Sequence, residues 1–303
     1  MQHHAIDQYA LVFPGQGSQF VNMLAPFLES HADIVQHYCS RASQVLAYDL
    51  QALIADNPDD RLNQTEYTQP ALLVAGVIAC EIWKTQVAQK PTVLAGHSLG
   101  EYTALTCANS LRFEDAVLLV QARGQFMQSA VPEGMGAMAA IVGLDNEKVA
   151  AVCQTVGDIE EIAPANYNSI GQVVIAGKRE QVEAAIVAAK AAGAKIAMLL
   201  PVSVQSHSRL MLPAAEKLKI ALEKIVIKSP EIPVINNADV AIETDVRKIK
   251  AALVKQLYSP VRWVEVIQKI KRDGVTTIIE CGPGKVLTGL IKRIDKEIKT
   301  SIE

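Results

Sequence analysis

Apolar runs alternate with stretches of helical period along most of this chain. Tyr9–Phe13 (YALVF) is continuously apolar and runs into Pro14-Gly15-Gln16-Gly17, which predicts a buried strand entering a turn. Glu66–Gln89 predicts a helix with Pro70 near its start. Thr92–Gly96 predicts a second strand, with a helix following from about Ser98 and another over Phe113–Ala130. Such alternation predicts an α/β sheet with mostly parallel strands.

The middle of the chain has a different rhythm. Gly136–Val142 reads as a strand, Asp145–Val156 as a helix, and Glu161–Ala165 and Gln172–Ala176 as short strands joined by a turn over Asn166–Gly171. Arg179–Ala192 reads as a helix stopped by Gly193, and Lys195–Leu200 as a strand. The order βαββαβ is that of a ferredoxin-like split unit. Residues 132–203 are therefore expected to form a small subdomain, inserted in an α/β body made of 1–131 and 204–303. After the insert come a helix over Ser208–Ile225, a short strand at Pro233–Ile235, two helices, a strand at Thr277–Cys281, a Gly-Pro-Gly turn and a last helix.

Composition narrows the function classes. Half of the 303 residues are hydrophobic and 20% are charged, enough to build a large core. A net charge of −3 gives no global drive toward nucleic acid or membrane. The best apolar run, Ala71–Cys80, is too short to span a bilayer, which takes about 18 residues. The five cysteines are scattered without metal-ligand spacing and are expected to be reduced thiols. With no signal-like start, the expected location is the cytoplasm.

The chemistry centres on Gly96-His97-Ser98-Leu99-Gly100. A serine between glycines, after an apolar strand and before a helix, fits a nucleophile elbow. The helix N-terminus favours negative charge there. A serine nucleophile needs a base. Of six histidines, His3 and His4 are near the terminus, and His31 and His37 lie in a polar helix-like stretch. His97 adjoins Ser98 on a sharp turn and is expected to point away. His207, in PVSVQSH, remains as the favoured base. Asp115, Asp145 and Asp158 fit surface caps or loops, so the partner of His207 need not be a carboxylate.

Acyl chemistry also needs oxyanion donors. Leu99 N–H, next to the nucleophile, is one, and the glycines around Gln16 would let its backbone approach as the second. Arg123 lies on an otherwise apolar helix, where a cation pairs with a structural carboxylate or awaits a substrate carboxylate.

The segments GQGSQ, GHSLGE, QARGQFMQ, GAMAAIVG, NYNSIGQVVIAG, PVSVQSH, QLYSPVRW and ECGPGKVLTGL occur in this order. In both sequence and order they resemble bacterial malonyl-CoA:acyl carrier protein transacylases, from Tyr9 to about Asp295. The resemblance implies an α/β-hydrolase-like large subdomain carrying the ferredoxin-like insert. It implies Ser98 as nucleophile and His207 as base, with His207 oriented by a carbonyl of Gln256. It further implies an oxyanion hole at Gln16 and Leu99, a malonyl carboxylate on Arg123, and Asn168 near the site. Gln205 departs from the pattern, standing where proline is common.

Malonyl-CoA would be the substrate, with no permanently bound cofactor or metal. The partner would be a phosphopantetheinylated acyl carrier protein, docked on a basic patch for which Lys285, Lys292 and Arg293 are candidates. The enzyme is expected to be a monomer serving fatty acid synthesis. A discrete polyketide acyltransferase and a serine thioesterase or hydrolase are the alternatives.

Overall fold

The structure, a computed structural model, describes residues 8–132, 134–202 and 204–303. His3 and His4 lie outside them. The chain begins with β1 (Tyr9–Phe13), α1 (Ala25–Leu46), α2 (Leu50–Asp56) and α3 (Thr65–Gln86). It continues through β2 (Val93–Gly96), α4 (Gly100–Cys107) and α5 (Phe113–Gln128). The next segment holds β3 (Gly136–Val142), α6 (Asn146–Val156), β4 (Ile162–Ser169), β5 (Gln172–Lys178), α7 (Arg179–Ala191) and β6 (Ile196–Leu199). The rest comprises α8 (Leu212–Glu223), β7 (Val234–Ile235), α9 (Val246–Gln256), α10 (Trp263–Arg272), β8 (Thr277–Glu280), α11 (Val286–Ile294) and β9 (Lys299–Ile302).

Five strands form a parallel sheet in the order β7-β2-β1-β8-β9. Its central strand is apolar throughout because both faces are covered. Tyr9, Leu11 and Phe13 face one core with α3, while Ala10 and Val12 face another with Trp263, Val266 and Ile270 of α10. Helix α3 is buried over most of its circumference, as its lack of a polar face requires. The carboxyl ends of β1, β2 and β8 meet at one edge, the usual ligand edge of such sheets.

The second sheet is antiparallel in the order β4-β5-β3-β6. One face packs on α6 and α7 through Ile141, Val173, Ile175, Val149 and Val182. The other presents Met138, Val174 and Ala176. Strand β4 is tied to the larger unit by the backbone: Tyr167 N–H donates to Val261 O and Val261 N–H to Ala165 O, both at 2.9 Å. The architecture is an α/β-hydrolase-like subdomain joined to a ferredoxin-like one, as expected.

Three local expectations are corrected. Pro70 lies inside α3, not near its start, and removes the N–H that would reach the Glu66 carbonyl. Asn166–Ser169 belong to β4; only Ile170 and Gly171 make the turn. The chain also ends in a strand, β9, which pairs parallel to β8 as a sheet edge.

Candidate active site

The turn from β2 to α4 explains its own glycines. A Cβ on Gly96 would fall 1.8 Å from the Gly100 carbonyl carbon, and one on Gly100 would fall 2.0 Å from Phe13 O. Only hydrogen fits at either place. Between them Ser98 takes a φ of +52°, a left-handed conformation uncommon for a residue with a side chain. Gly15 likewise sits with its absent Cβ 2.4 Å from His97 O, so the loop after β1 rests directly on this turn.

Ser98 Oγ lies 2.8 Å from His207 Nε2. His207 comes from the far side of the chain, at φ +63° just before a short turn leading into α8. Its Nδ1 lies 2.8 Å from the backbone oxygen of Gln256, at the end of α9. A carbonyl can only accept, so Nδ1 carries the proton and Nε2 is free to accept from Ser98. Burial, and then the Arg123 cation, push the His207 pKa down to about 3. The imidazole is therefore neutral at ordinary pH. The carboxylates set aside earlier are indeed elsewhere: Asp145 caps α6, Asp158 caps a turn and Asp115 pairs with Arg112.

Arg123, on α5, is 1% exposed. Its Nη1 donates to Gln69 Oε1 at 2.8 Å, and its Nη2 to Gln256 Oε1 at 3.0 Å and Ser98 Oγ at 3.2 Å. Its guanidinium carbon stands 5.2 Å from the centre of the Tyr102 ring. All these partners are neutral, and among the described residues no carboxylate pairs with it. The link to the buried Glu101 carboxyl is indirect: Gln256 Nε2 donates to Glu101 Oε2 at 2.8 Å. A cation held by neutral groups in a cavity has the charge and the fork to bind an anionic group.

The cavity measures about 190 Å³ and is lined by Gln16, Ser98, Leu99, Arg123, His207 and Asn168, with Met127, Met138, Val174, Leu200 and Val204 as its apolar wall. That is below the roughly 300 Å³ at which pockets for drug-sized ligands begin, so it suits a short acyl group. Among the described residues, the N–H groups of Gln16 and Leu99 have no backbone partner. Leu99 N–H is at the start of α4, whose dipole favours negative charge.

His97, expected to point away from Ser98, also lines the cavity, and its Nε2 lies 2.8 Å from Asn168 Oδ1 on β4. Gln205 is buried and packs against Gly136 without lining the cavity. Lys285 and Lys292 are exposed at opposite ends of α11. Arg293 donates to Gln172 Oε1 at 2.7 Å and so bridges to β5. Sequence reasoning missed Gln69, Tyr102, Glu101 and Asn237. A polar side chain beside an apolar stretch was the only signal for Gln69 and Glu101, and Tyr102 and Asn237 carry none.

A hydroxyl beside an imidazole acceptor, two N–H groups without a backbone partner and a buried cation thus meet in one cavity, an arrangement with the groups that acyl transfer needs, and the comparisons make the chain an acyltransferase. The chain belongs to the acyl transferase domain family, which matches residues 10–301. It is 53% identical to the malonyl CoA-acyl carrier protein transacylase of Escherichia coli K12, over 95% of this chain and 93% of that one. An acyl carrier protein S-malonyltransferase from Vibrio cholerae superposes with a TM-score of 0.95 at 53% identity, covering 98% of this chain and 97% of the other. A malonyl-transacylase solved with a type II PKS acyl-carrier protein gives 0.94 at 50% identity, covering 98% and 95%. The resemblance read from the motifs is thus borne out. Among the described residues no helix is long and apolar enough to cross a membrane.

Proposed function

We propose that this protein transfers the malonyl group of malonyl-CoA to the phosphopantetheine thiol of an acyl carrier protein, through a malonyl ester on Ser98. One observation carries the reading. Ser98 Oγ is held at once by a neutral imidazole and by a buried guanidinium with which no carboxylate among the described residues pairs. The malonyl carboxylate binds Arg123. His207 takes the Ser98 proton as Oγ attacks the thioester carbonyl, and the N–H groups of Gln16 and Leu99 hold the oxyanion. The carbon–sulfur bond then breaks and CoA leaves as its thiol, with the proton from His207. The carrier thiol next attacks the ester, again giving its proton to His207, and Ser98 is restored.

The apolar wall from Met127 to Val204 keeps water scarce, so a thiol outcompetes it. A hydrolase reading predicts a carboxylate on His207, and a carbonyl stands there instead. On the proposed reading residues 132–203 act as one unit set into 1–131 and 204–303. The enzyme works as a cytoplasmic monomer without a resident cofactor and supplies fatty acid synthesis. The neighbour solved with a polyketide carrier favours a second reading, in which the acceptor belongs to a polyketide pathway.

Intact mass after brief mixing with malonyl-CoA tests the proposal. A malonyl adduct is expected on the wild type and not on Ser98→Ala, discharged by a fatty acid carrier faster than by water. Prompt CoA release without an adduct would overturn it, and faster discharge by a polyketide carrier would select the second reading.

A further inference from the structure

A buried amide on the loop after β7 reaches into the nucleophile turn. Asn237 is fully buried, and each of its polar atoms is engaged. Its Oδ1 accepts the Ser98 N–H at 2.6 Å, and its Nδ2 donates to Gly96 O at 2.7 Å. Its own N–H donates to Glu101 Oε2 at 2.8 Å, and its carbonyl accepts from Arg262 N–H at 3.3 Å. One planar group thus grips the end of β2 and the nucleophile itself. A primary amide carries a donor and an acceptor side by side, which a hydroxyl or carboxylate of the same reach does not.

The carbonyl of the same serine is also held. Ser98 O accepts from Gln256 Nε2 at 3.1 Å, besides Glu101 N–H at 3.1 Å. Gln256 Nε2 shares the Glu101 Oε2 acceptor with Asn237 N–H. The carbonyl of the same Gln256 orients His207. Nucleophile and base are therefore set by one buried frame, closed by the carboxylate of Glu101.

We infer that Asn237 is a positioning residue: it holds Ser98 in its left-handed conformation with Oγ aimed at His207, and it occupies the Ser98 N–H so that only Leu99 and Gln16 offer donors to the oxyanion. The inference rests on Ser98 being the nucleophile. Loss of the grip lets the turn relax toward an ordinary φ, and a displacement of the hydroxyl by about an ångström costs on the order of a hundredfold in rate.

The test is single-turnover acylation of Asn237→Ala by malonyl-CoA. The rate constant for malonyl-serine formation should fall ten- to a hundredfold, by the same positioning cost. The concentration of malonyl-CoA giving half the maximal rate should stay within about twofold, because Arg123 keeps Gln69 and Gln256. A folded variant that acylates at the wild-type rate, or that loses only affinity, overturns the inference. Should the variant not fold, amide exchange of wild-type Ser98 decides: strong protection is expected, and exchange at the rate of an open loop overturns the inference. A wild type that forms no acyl-enzyme would instead strike at the role of Ser98 itself.

Discussion

Replacing Arg123 by alanine separates a substrate-binding cation from a structural one. In the free protein the guanidinium touches Ser98 Oγ, Gln69 and Gln256, and it is buried among neutral groups. A malonyl carboxylate docked on it would form two charge-assisted hydrogen bonds, each worth about 1.5–3 kcal/mol. Removing both should cost roughly 3–6 kcal/mol, or about two to four powers of ten in the second-order rate constant for acylation by malonyl-CoA. Acetyl-CoA has no carboxylate and loses only the single 3.2 Å contact to Oγ, a loss that the malonyl donor shares and that cancels in their ratio. The malonyl-to-acetyl ratio should therefore drop by a hundredfold or more, on the same arithmetic. Acylation rates by intact mass for both donors measure it, with thermal unfolding to confirm that the variant is folded. Equal losses for the two donors would refute the argument and leave Arg123 as a brace for Gln69 and Gln256. Arg123→Lys keeps the charge without the fork and should fall between.

The pH dependence follows from burial. With its pKa held near 3, His207 is neutral in the free enzyme, so acylation should show no protonation limb of this histidine near 6.5. Burial raises Glu101 to about 7, so a limb there that vanishes in Glu101→Gln belongs to Glu101, and one that survives near 6.5 would contradict a neutral base. The signs for stability are opposite: the His207 contribution is whole above pH 6.5 and is lost as pH falls toward 3, whereas that of Glu101 is whole below 4.5 and is lost as pH rises through 7. For docking, Lys292→Glu should raise the carrier KM several-fold at low salt, an effect of surface electrostatics that salt screens, while leaving acylation by malonyl-CoA unchanged. An unchanged carrier KM would remove that lysine from the docking surface.

The strand–turn–helix at Ser98 and the βαββαβ order were legible because each rests on local pattern. The glycines at 96 and 100 mark close backbone approach, and the short apolar runs of β3 and β5 mark buried strands. The Asn166–Ser169 segment was misread because Asn and Ser carry turn chemistry. It is strand because β5 and Val261 pair with it, and its asparagines are tolerated because Asn166 and Asn168 face the polar part of the cavity. Strand β9 (KTSI) was missed because an edge strand with mostly exposed side chains needs little apolar signal. A carbonyl partner for His207 has no side-chain signature at all, and only the resemblance pointed to Gln256. Asn237 was illegible for a related reason: its role is set by a contact with Ser98 across 139 residues, not by any local spacing.

The neutral partners of His207 and Arg123 obey one electrostatic constraint. The cavity is small and buried, and on the proposed reading it must admit a substrate carboxylate beside the reacting serine. A carboxylate on His207 would add a second anion to that space, repel the malonyl group and compete for the guanidinium. The Gln256 carbonyl fixes the imidazole tautomer without adding charge, and the Gln256 and Gln69 side chains orient the guanidinium without neutralising it. Glu101, which burial raises to about 7 and which balances the buried cation only once it is ionised above that pH, is kept one amide away, linked through Gln256. Charge balance and an unoccupied cation are then compatible, and a single residue, Gln256, connects base, cation and anion. On this argument a Gln256→Glu exchange would harm malonyl transfer more than its size suggests, because it sets a carboxylate directly on Arg123 and beside Glu101.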